Sequence, residues 1–382
     1  MANQPKFKRN SDTPLYQQAK EHLIREFQKY QLHEKLPTDR ALAKSLKLSF
    51  LTVNKVMNQL AREGYVVRQR GKGTFLASYE QTVFSDEVTG ANGQVIVAHP
   101  NYPSVEYWTR VHTAEEFCLR HGLKCVEIKL NPNTSWERVA SLAKRQEALR
   151  AVLIQPVPGS VTEGGFKLLD SLGCPIVWCY NSPFLDDAQN SIAVIADWFR
   201  IGYLEMECLL RHGHRRIVKI CNEPPGQDGG ETIRGMKQAV ADHALPPSTL
   251  AISRETGRPW ENSAHSAYEL TLKVFTANRD VTGLIYDSVA GVWGGLRALW
   301  ELGLKVPDDV SLVSTGIRDG IDAYMPPPLT TVCPDPEEEV RKGLELALDW
   351  HATGRKPSLI TRISPTRYER MSVRTCRAGD QN

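Results

Sequence analysis

Several things are missing from this chain of 382 residues, and each absence removes a class of function. No apolar run approaches the roughly 18–20 residues that a membrane-spanning helix needs, so no membrane partner is expected. The opening MANQPKFKRNSD has no apolar core of the kind a secretory signal carries, which places the expected site of action in the cytoplasm. The 8 cysteines form no C-x-x-C pair, and Cys118, Cys125, Cys174, Cys179, Cys208 and Cys221 mostly sit inside apolar runs. They read as buried free thiols of a reducing compartment, and a zinc or other metal site is not expected. There is no glycine-rich phosphate loop, no G-x-S-x-G elbow and no H-E-x-x-H spacing. No catalytic residue and no cofactor is therefore assigned, and an enzyme is not expected.

The composition that is present is ordinary for a soluble protein, with 41% hydrophobic and 24% charged residues, and the length suits two or three domains. The charge is unevenly placed. Residues 1–78 hold 15 lysines and arginines against 6 acidic residues, a net charge of +9; the remainder holds 32 against 38, a net of −6. Basic charge gathered on one small segment of a nearly neutral chain is what phosphate binding requires.

Within that segment, Leu36 to Leu76 reads as helix, turn, helix, hairpin. Thr38 can cap a short helix carrying Ala41, Leu42 and Leu46, and after Lys47-Leu48-Ser49 the residue Ser49 can cap a second. Val53, Val56, Met57 and Leu60 recur at helical spacing and predict one buried face, which leaves Leu51, Lys55, Asn58 and Arg62 pointing outward. Gly64 is placed to end that helix. Two short strands, Tyr65 to Gln69 and Thr74 to Leu76, flank the basic tip Arg70-Gly71-Lys72-Gly73. Before them, Thr13-Pro14 opens a helix with apolar positions Leu15, Ala19, Leu23 and Phe27. Such a helix pair with a basic hairpin is how winged helix-turn-helix proteins hold DNA.

The segments TPLYQQAKEHL (13–23), LPTDRALAKSL (36–46) and EGYVVRQRGKGTF (63–75) resemble the DNA-binding domain of the GntR family of bacterial transcription regulators. The resemblance implies DNA contacts from Arg40, from Ser49 to Thr52, Phe50 among them unless it packs at the domain edge, and from Gly71 to Gly73 with Lys72 between; Asn54 and the outward-facing Lys55 of the recognition helix join them. Phe50 and Asn54 stand where that family commonly has arginine. Arginine is the commonest reader of guanine and asparagine pairs with adenine edges, so an operator unlike the family's usual one is expected.

The domain plan that follows is a basic arm over 1–12, the winged domain over 13–77, a linker over 78–93, a large domain over 94–374 and a tail over 375–382. From Gln94 onward short apolar strands alternate with helices, which predicts parallel sheets with covering helices. Some twelve strand–helix units exceed what one doubly wound sheet holds, so two lobes are expected. The fold class is thus α/β: an N-terminal winged helix-turn-helix followed by a two-lobed body with parallel sheets. Ligands of such sheets sit beyond the carboxyl ends of the strands. The loops there, including Asn101 to Trp108, Tyr180 to Asp187, Asn222 to Gly230, Asp287 to Ala290 and Thr315 to Gly320, are rich in aromatic and polar residues.

The segments RHGHRRIVKI (211–220), LGLKVPDDVSLVS (302–314), PPLTTV (327–332) and YERMSVR (368–374) are similar to the effector domain of the LacI/GalR repressors, itself akin to periplasmic sugar-binding proteins. A GntR-type head on such a body resembles arabinose-repressor-type regulators. The resemblance implies a homodimer on double-stranded operator DNA with an inverted repeat, and a small effector, a sugar or sugar derivative, in the interlobe cleft. It carries an effector-binding role to Tyr107 or Trp108, Asp197, Tyr286, Asp287 and Trp260. Asn181 joins them from the aromatic and polar loops. The family's sugar-clamping arginine falls on Thr232, with Arg234 nearby, and its strand-ending aspartate on Gly316, with Asp319 following. Those departures leave open a clamp rebuilt from Arg234 and Asp319, a different ligand, or a body that serves only as a dimerisation or partner-binding scaffold. The second histidine of His212-Gly213-His214 is structural in the resembling family.

Overall fold

A computed structural model describes residues 15–376, apart from positions 28, 31–33, 63–65, 70–71, 77–91, 103, 132–134, 158, 224–229, 255–261 and 318–319. The expected basic arm, most of the linker, the residues of the Thr13-Pro14 start and the Gly64 stop, and most of the tail lie outside the described residues.

The head is built from α1 (Leu15–Phe27), α2 (Asp39–Leu46), α3 (Phe50–Arg62), β1 (Val66–Gln69) and β2 (Gly73–Leu76). Thr38 caps α2 by accepting the Ala41 amide, and Lys47 closes it in the left-handed conformation at φ 55°. Ser49 accepts the Thr52 amide at 3.0 Å and so opens α3. The apolar faces of the three helices, with Val66 and Leu76 from the hairpin, form one buried cluster around Leu23, Leu42, Val53, Met57 and Leu60. The strands pair antiparallel from Val66↔Leu76 to Gln69↔Gly73. The segment before α2 joins them: Leu36 donates to the Thr74 carbonyl at 2.8 Å and Leu76 to the Glu34 carbonyl at 2.9 Å. The wing is thereby tied to the helices on both sides, a third edge the sequence did not announce.

The body runs β3 (Gln94–Pro100), α4 (Val105–Arg120), β4 (Lys124–Leu130), α5 (Trp136–Lys144), β5 (Leu149–Ile154), α6 (Glu163–Asp170), β6 (Ile176–Trp178), β7 (Ser191–Ala196), α7 (Trp198–Arg211), β8 (Ile217–Cys221), α8 (Glu231–Asp242), β9 (Leu250–Arg254), α9 (Ser263–Ala277), β10 (Gly283–Tyr286), α10 (Val289–Glu301), β11 (Ser311–Thr315), β12 (Thr330–Cys333), α11 (Pro336–Thr353), β13 (Ile360–Ile363) and β14 (Thr366–Tyr368). These make two six-stranded sheets, in the orders β13-β7-β6-β5-β3-β4 and β14-β12-β11-β10-β8-β9. The two expected lobes are present, each with its own apolar core.

The chain passes between the sheets three times, after β7, after β12 and after β13. The first and third passages lie side by side, because β13 pairs parallel to β7 as far as Ile363↔Ala196 and the Asp197 amide donates to the Ile363 carbonyl. The first and second meet in a small apolar cluster of Ala196, Ile201, Leu204 and Val332.

Three expectations need correction. The apolar spacing from Trp136 predicts a helix as far as Leu149, but α5 stops at Lys144, Ala148 takes φ 51° and Leu149 already begins β5. The strand SIAVIA over 191–196 was not anticipated; all six of its residues are buried, so it has neither the alternation of a half-exposed strand nor the length of a helix. The sheets are not wholly parallel: β14 runs antiparallel to β12 at an edge. Among the described residues no helix is long and apolar enough to cross a membrane, no group of acidic, histidine and cysteine side chains could hold a metal, and all eight cysteines are free.

Candidate nucleic-acid interface and effector cleft

The outward side of the head carries the residues expected to meet DNA. Arg40 on the first turn of α2 is exposed, as are Ser49, Phe50, Leu51 and Lys55 around the start of α3 and Lys72 at the wing. Thr52 and Asn54 are half-buried. The Ser49 and Thr52 hydroxyls lie 2.7 Å apart, and the Lys55 ammonium sits 4.8 Å from the centre of the Tyr16 ring. Gly73 has φ 123°, a conformation that side chains strain to adopt and that lets the wing turn. Gly71 lies outside the described residues.

Asn54 differs from its expected role. Its amide donates to Asp39 Oδ2 at 2.8 Å, and its oxygen accepts from the Asn58 amide at 3.0 Å. The same Asp39 oxygen holds Arg68 of β1 at 3.0 Å. Asp39 therefore links α2, α3 and the wing, and a bidentate contact of Asn54 to adenine would require it to leave Asp39. Sequence reading had no means of finding this, because the partner lies 15 residues away on another helix.

In the body, the strand ends of the second lobe carry a connected polar cluster. Asn222, just after β8, donates to Ser288 Oγ at 3.0 Å and accepts the Asp287 amide at 3.0 Å. Ser288 donates to Glu223 Oε1 at 2.6 Å, and the Glu223 amide donates to Asp287 Oδ2 at 3.3 Å. Gly291 makes room for this arrangement, since a Cβ there would lie 2.4 Å from the Asn222 side chain. Burial pushes the Glu223 carboxyl above its ordinary pKa; the Ser288 and Ser263 hydroxyls pull it down, and Asp287 and Glu106 push it up. Glu106, on the first turn of α4, is the weakest of these influences and is itself paired with Arg110.

Beneath the cluster, Lys219 is 1% exposed in the middle of β8, with its ammonium 2.8 Å from Asp287 Oδ1 and 3.9 Å from Glu205 Oε2. Burial opposes its charge, but the two carboxylates prevail and hold its pKa above the ordinary lysine value. Glu205 also accepts from Thr315 Oγ1 at 2.7 Å, which ties α7 to the end of β11. Asn222, Glu223 and Ser288 fall in loops expected at the strand ends, though none was named individually, whereas Lys219 and Glu205 were not singled out from sequence. A lysine within the apolar run IVKIC was the visible signal for the first of these.

The expected effector residues are dispersed. Asp287 follows the end of β10, and Tyr107 lies on the first turn of α4, 8% exposed with its ring centre 6.4 Å from that of His99. Asn181 is half-buried after β6, and Asp197 caps α7 by accepting the Arg200 amide at 2.9 Å. Tyr286 is a correction: it is fully buried in the lobe core, its hydroxyl 2.9 Å from Thr271 Oγ1, because the strand's alternation turns it away from the end where Asp287 emerges. Trp108 is a second. It is 66% exposed, stacks on His112, and lines a groove of about 500 Å³ between α4 and α11 with Glu116, Arg120, Arg341 and Glu345. Arg234 is exposed on α8 and paired with Glu231, while Thr232 is buried where α8 meets α7. Trp260 and Asp319 lie outside the described residues. His214 is structural, buried between Thr282 Oγ1 and the Arg374 carbonyl.

Residues 15–76 match the family model described as bacterial regulatory proteins of the gntR family, and residues 206–373 match the periplasmic binding protein-like domain. The arabinose metabolism transcriptional repressor of Geobacillus stearothermophilus is 26% identical over 306 residues, covering 78% of this chain and 81% of that protein. The HTH-type transcriptional repressor PurR of Haemophilus influenzae is 27% identical over 229 residues, 58% of this chain and 63% of that one. A LacI family transcriptional regulator from Enterococcus faecium, solved with bound ribose, shares the fold at a TM-score of 0.62 and 21% identity, covering 74% of this chain and all of that one. The chain thus carries a GntR-type winged head over residues 15–76 and a periplasmic-binding-protein-like domain over residues 206–373, and the proteins it is similar to are transcriptional regulators.

Proposed function

We propose that this protein represses transcription as a homodimer whose two heads grip an inverted-repeat operator, and that a small polar effector in the interlobe cleft changes that grip. The observation that carries the reading is the Asn222, Glu223, Asp287 and Ser288 cluster at the ends of β8 and β10. Polar groups converging at strand ends suit a ligand with several hydroxyls. A sugar or sugar derivative is the effector class favoured, in keeping with relatives named for arabinose metabolism and a fold neighbour holding ribose. Ligand leverage equals its differential affinity for the open and closed arrangements of the lobes. The working compartment is the cytoplasm, and the partner nucleic acid is duplex DNA.

A second reading is a body that dimerises without a ligand. It draws on Thr232 and Arg234: one is buried and the other is exposed and paired with Glu231, so neither offers the free guanidinium that grips sugar hydroxyls in the resembling family. Thermal-shift screening against pentoses, hexoses and sugar acids separates the two, because a ligand at a hundred times its dissociation constant stabilises by about 2.7 kcal/mol. A flat screen favours the scaffold. Gel shifts across a salt series test the DNA half, since specific binding should weaken steeply as salt rises.

A further inference from the structure

The start of the recognition helix presents apolar rather than polar side chains. Phe50 is 46% exposed and Leu51 78% exposed, on the first turn of α3. Neither joins the head's apolar cluster, whose α3 contribution is Val53, Val56, Met57 and Leu60. The same two helices carry exposed cations: Arg40 and Lys44 on α2, Lys47 at its end, and Lys55 one turn further along α3. Asn54, the polar residue best placed to read a base, is held by Asp39 and Asn58.

An exposed apolar pair on a helix pair that also presents several cations suits a strongly anionic partner that offers small apolar groups. In the major groove of DNA, one base presents such a group: thymine, through its C5 methyl. The lysines and arginine would hold phosphates and set the helix in the groove, while sequence would be read by contact with methyls. We propose that Phe50 and Leu51 are specificity-determining residues that recognise thymine C5 methyl groups in the operator half-site. The inference rests on the reading of the head as a DNA-binding module and adds what that module reads.

The test uses the full-length protein. Duplexes are enriched from a random library, and each thymine of the enriched sequence is then replaced singly by deoxyuridine, which removes only the methyl. One or two such replacements per half-site should weaken binding about four-fold each, the effect of one buried methyl-sized group. Leu51→Ala and Phe50→Ala should each become insensitive to deoxyuridine at one of those positions while keeping the wild-type dependence on salt, since no charge is removed. Both side chains lie outside the core, so an unchanged melting curve confirms that the variants fold. If deoxyuridine is neutral everywhere on a duplex bound specifically, methyl reading is wrong although DNA binding stands. If both alanine variants retain the deoxyuridine penalty, other residues read the methyls and the assignment falls. If no duplex is enriched at all, the DNA-binding reading fails with it.

Discussion

Asn54 of the recognition helix donates its side-chain amide to Asp39 Oδ2 at 2.8 Å, and the same carboxylate oxygen holds Arg68 of the wing at 3.0 Å. One acidic side chain thus joins both helices of the pair to the hairpin. It also masks a cation on the side of the head that faces outward.

Asp39→Ala should release Arg68 to the phosphates. The salt dependence of DNA binding should steepen by about 0.9 in the log–log slope, with sequence discrimination falling as Asn54 and the wing lose their shared anchor. Fluorescence anisotropy on specific and scrambled duplexes over a salt series measures both quantities. An unchanged slope means Arg68 gains no phosphate when freed.

Lys55→Ala and Lys72→Ala should each lower that slope by about 0.9 and weaken specific and scrambled duplexes to the same degree. Loss of specific binding alone would place the lysine on a base edge instead.

In the first lobe, Arg110 of α4 bonds Glu339 of α11 at 2.7 Å and also pairs with Glu106; both Arg110 and Glu339 are buried. Arg110→Ala leaves the Glu339 carboxyl buried without this partner and should destabilise by about 3–5 kcal/mol, whereas replacing both with apolar residues of similar volume should be near neutral. Burial, partly offset by Arg110, raises Glu339 to about 6 from 4.5. A raised folded-state value means the folded protein holds that proton more tightly, so this contribution to stability is full below pH 4.5 and is lost as pH rises through 6. Urea melts of wild type and Glu339→Gln at pH 4.5, 6 and 8 should differ least at the acid end.

Glu223 follows the same sign, its carboxyl raised chiefly by burial. Wild type should lose stability relative to Glu223→Gln as pH climbs from the carboxylate range toward neutrality. Parallel pH dependence in the two proteins would show that the carboxyl is solvated when folded.

Helices α7 and α8 meet through glycines: a Cβ on Gly235 would lie 1.9 Å from the Phe199 carbonyl oxygen, and one on Gly202 1.9 Å from that of Thr232. In an exposed helix, glycine to alanine stabilises by about 1 kcal/mol. Here Gly235→Ala should instead destabilise by about 1–3 kcal/mol, because the obstacle is backbone and cannot rotate aside. Differential scanning calorimetry decides the sign.

The two-module plan, the caps at Thr38 and Ser49, the apolar face of α3 and the doubled sheet could all be read from the chain, because each rests on local periodicity, capping chemistry or charge placement. Resemblance led to Asp287 but not to the company it keeps. The buried strand over 191–196, with neither alternation nor distinguishing length, looked like nothing in particular until it was seen between two neighbours. Tyr286 and Asp287 are adjacent in sequence, yet one fills the core and the other forms part of the polar cluster at the strand ends. Which way each residue faces depends on where β10 ends, and pairing with β8 and β11 decides that. The same holds for Asn54: its type suggested a reader of bases, but a carboxylate brought beside it by the turn between α2 and α3 occupies its amide. Residue chemistry and spacing determined the elements and pointed to the kind of partner proposed; the long-range partners that hold each side chain were decided by tertiary packing alone, since contacts across the fold leave no periodic mark on the chain.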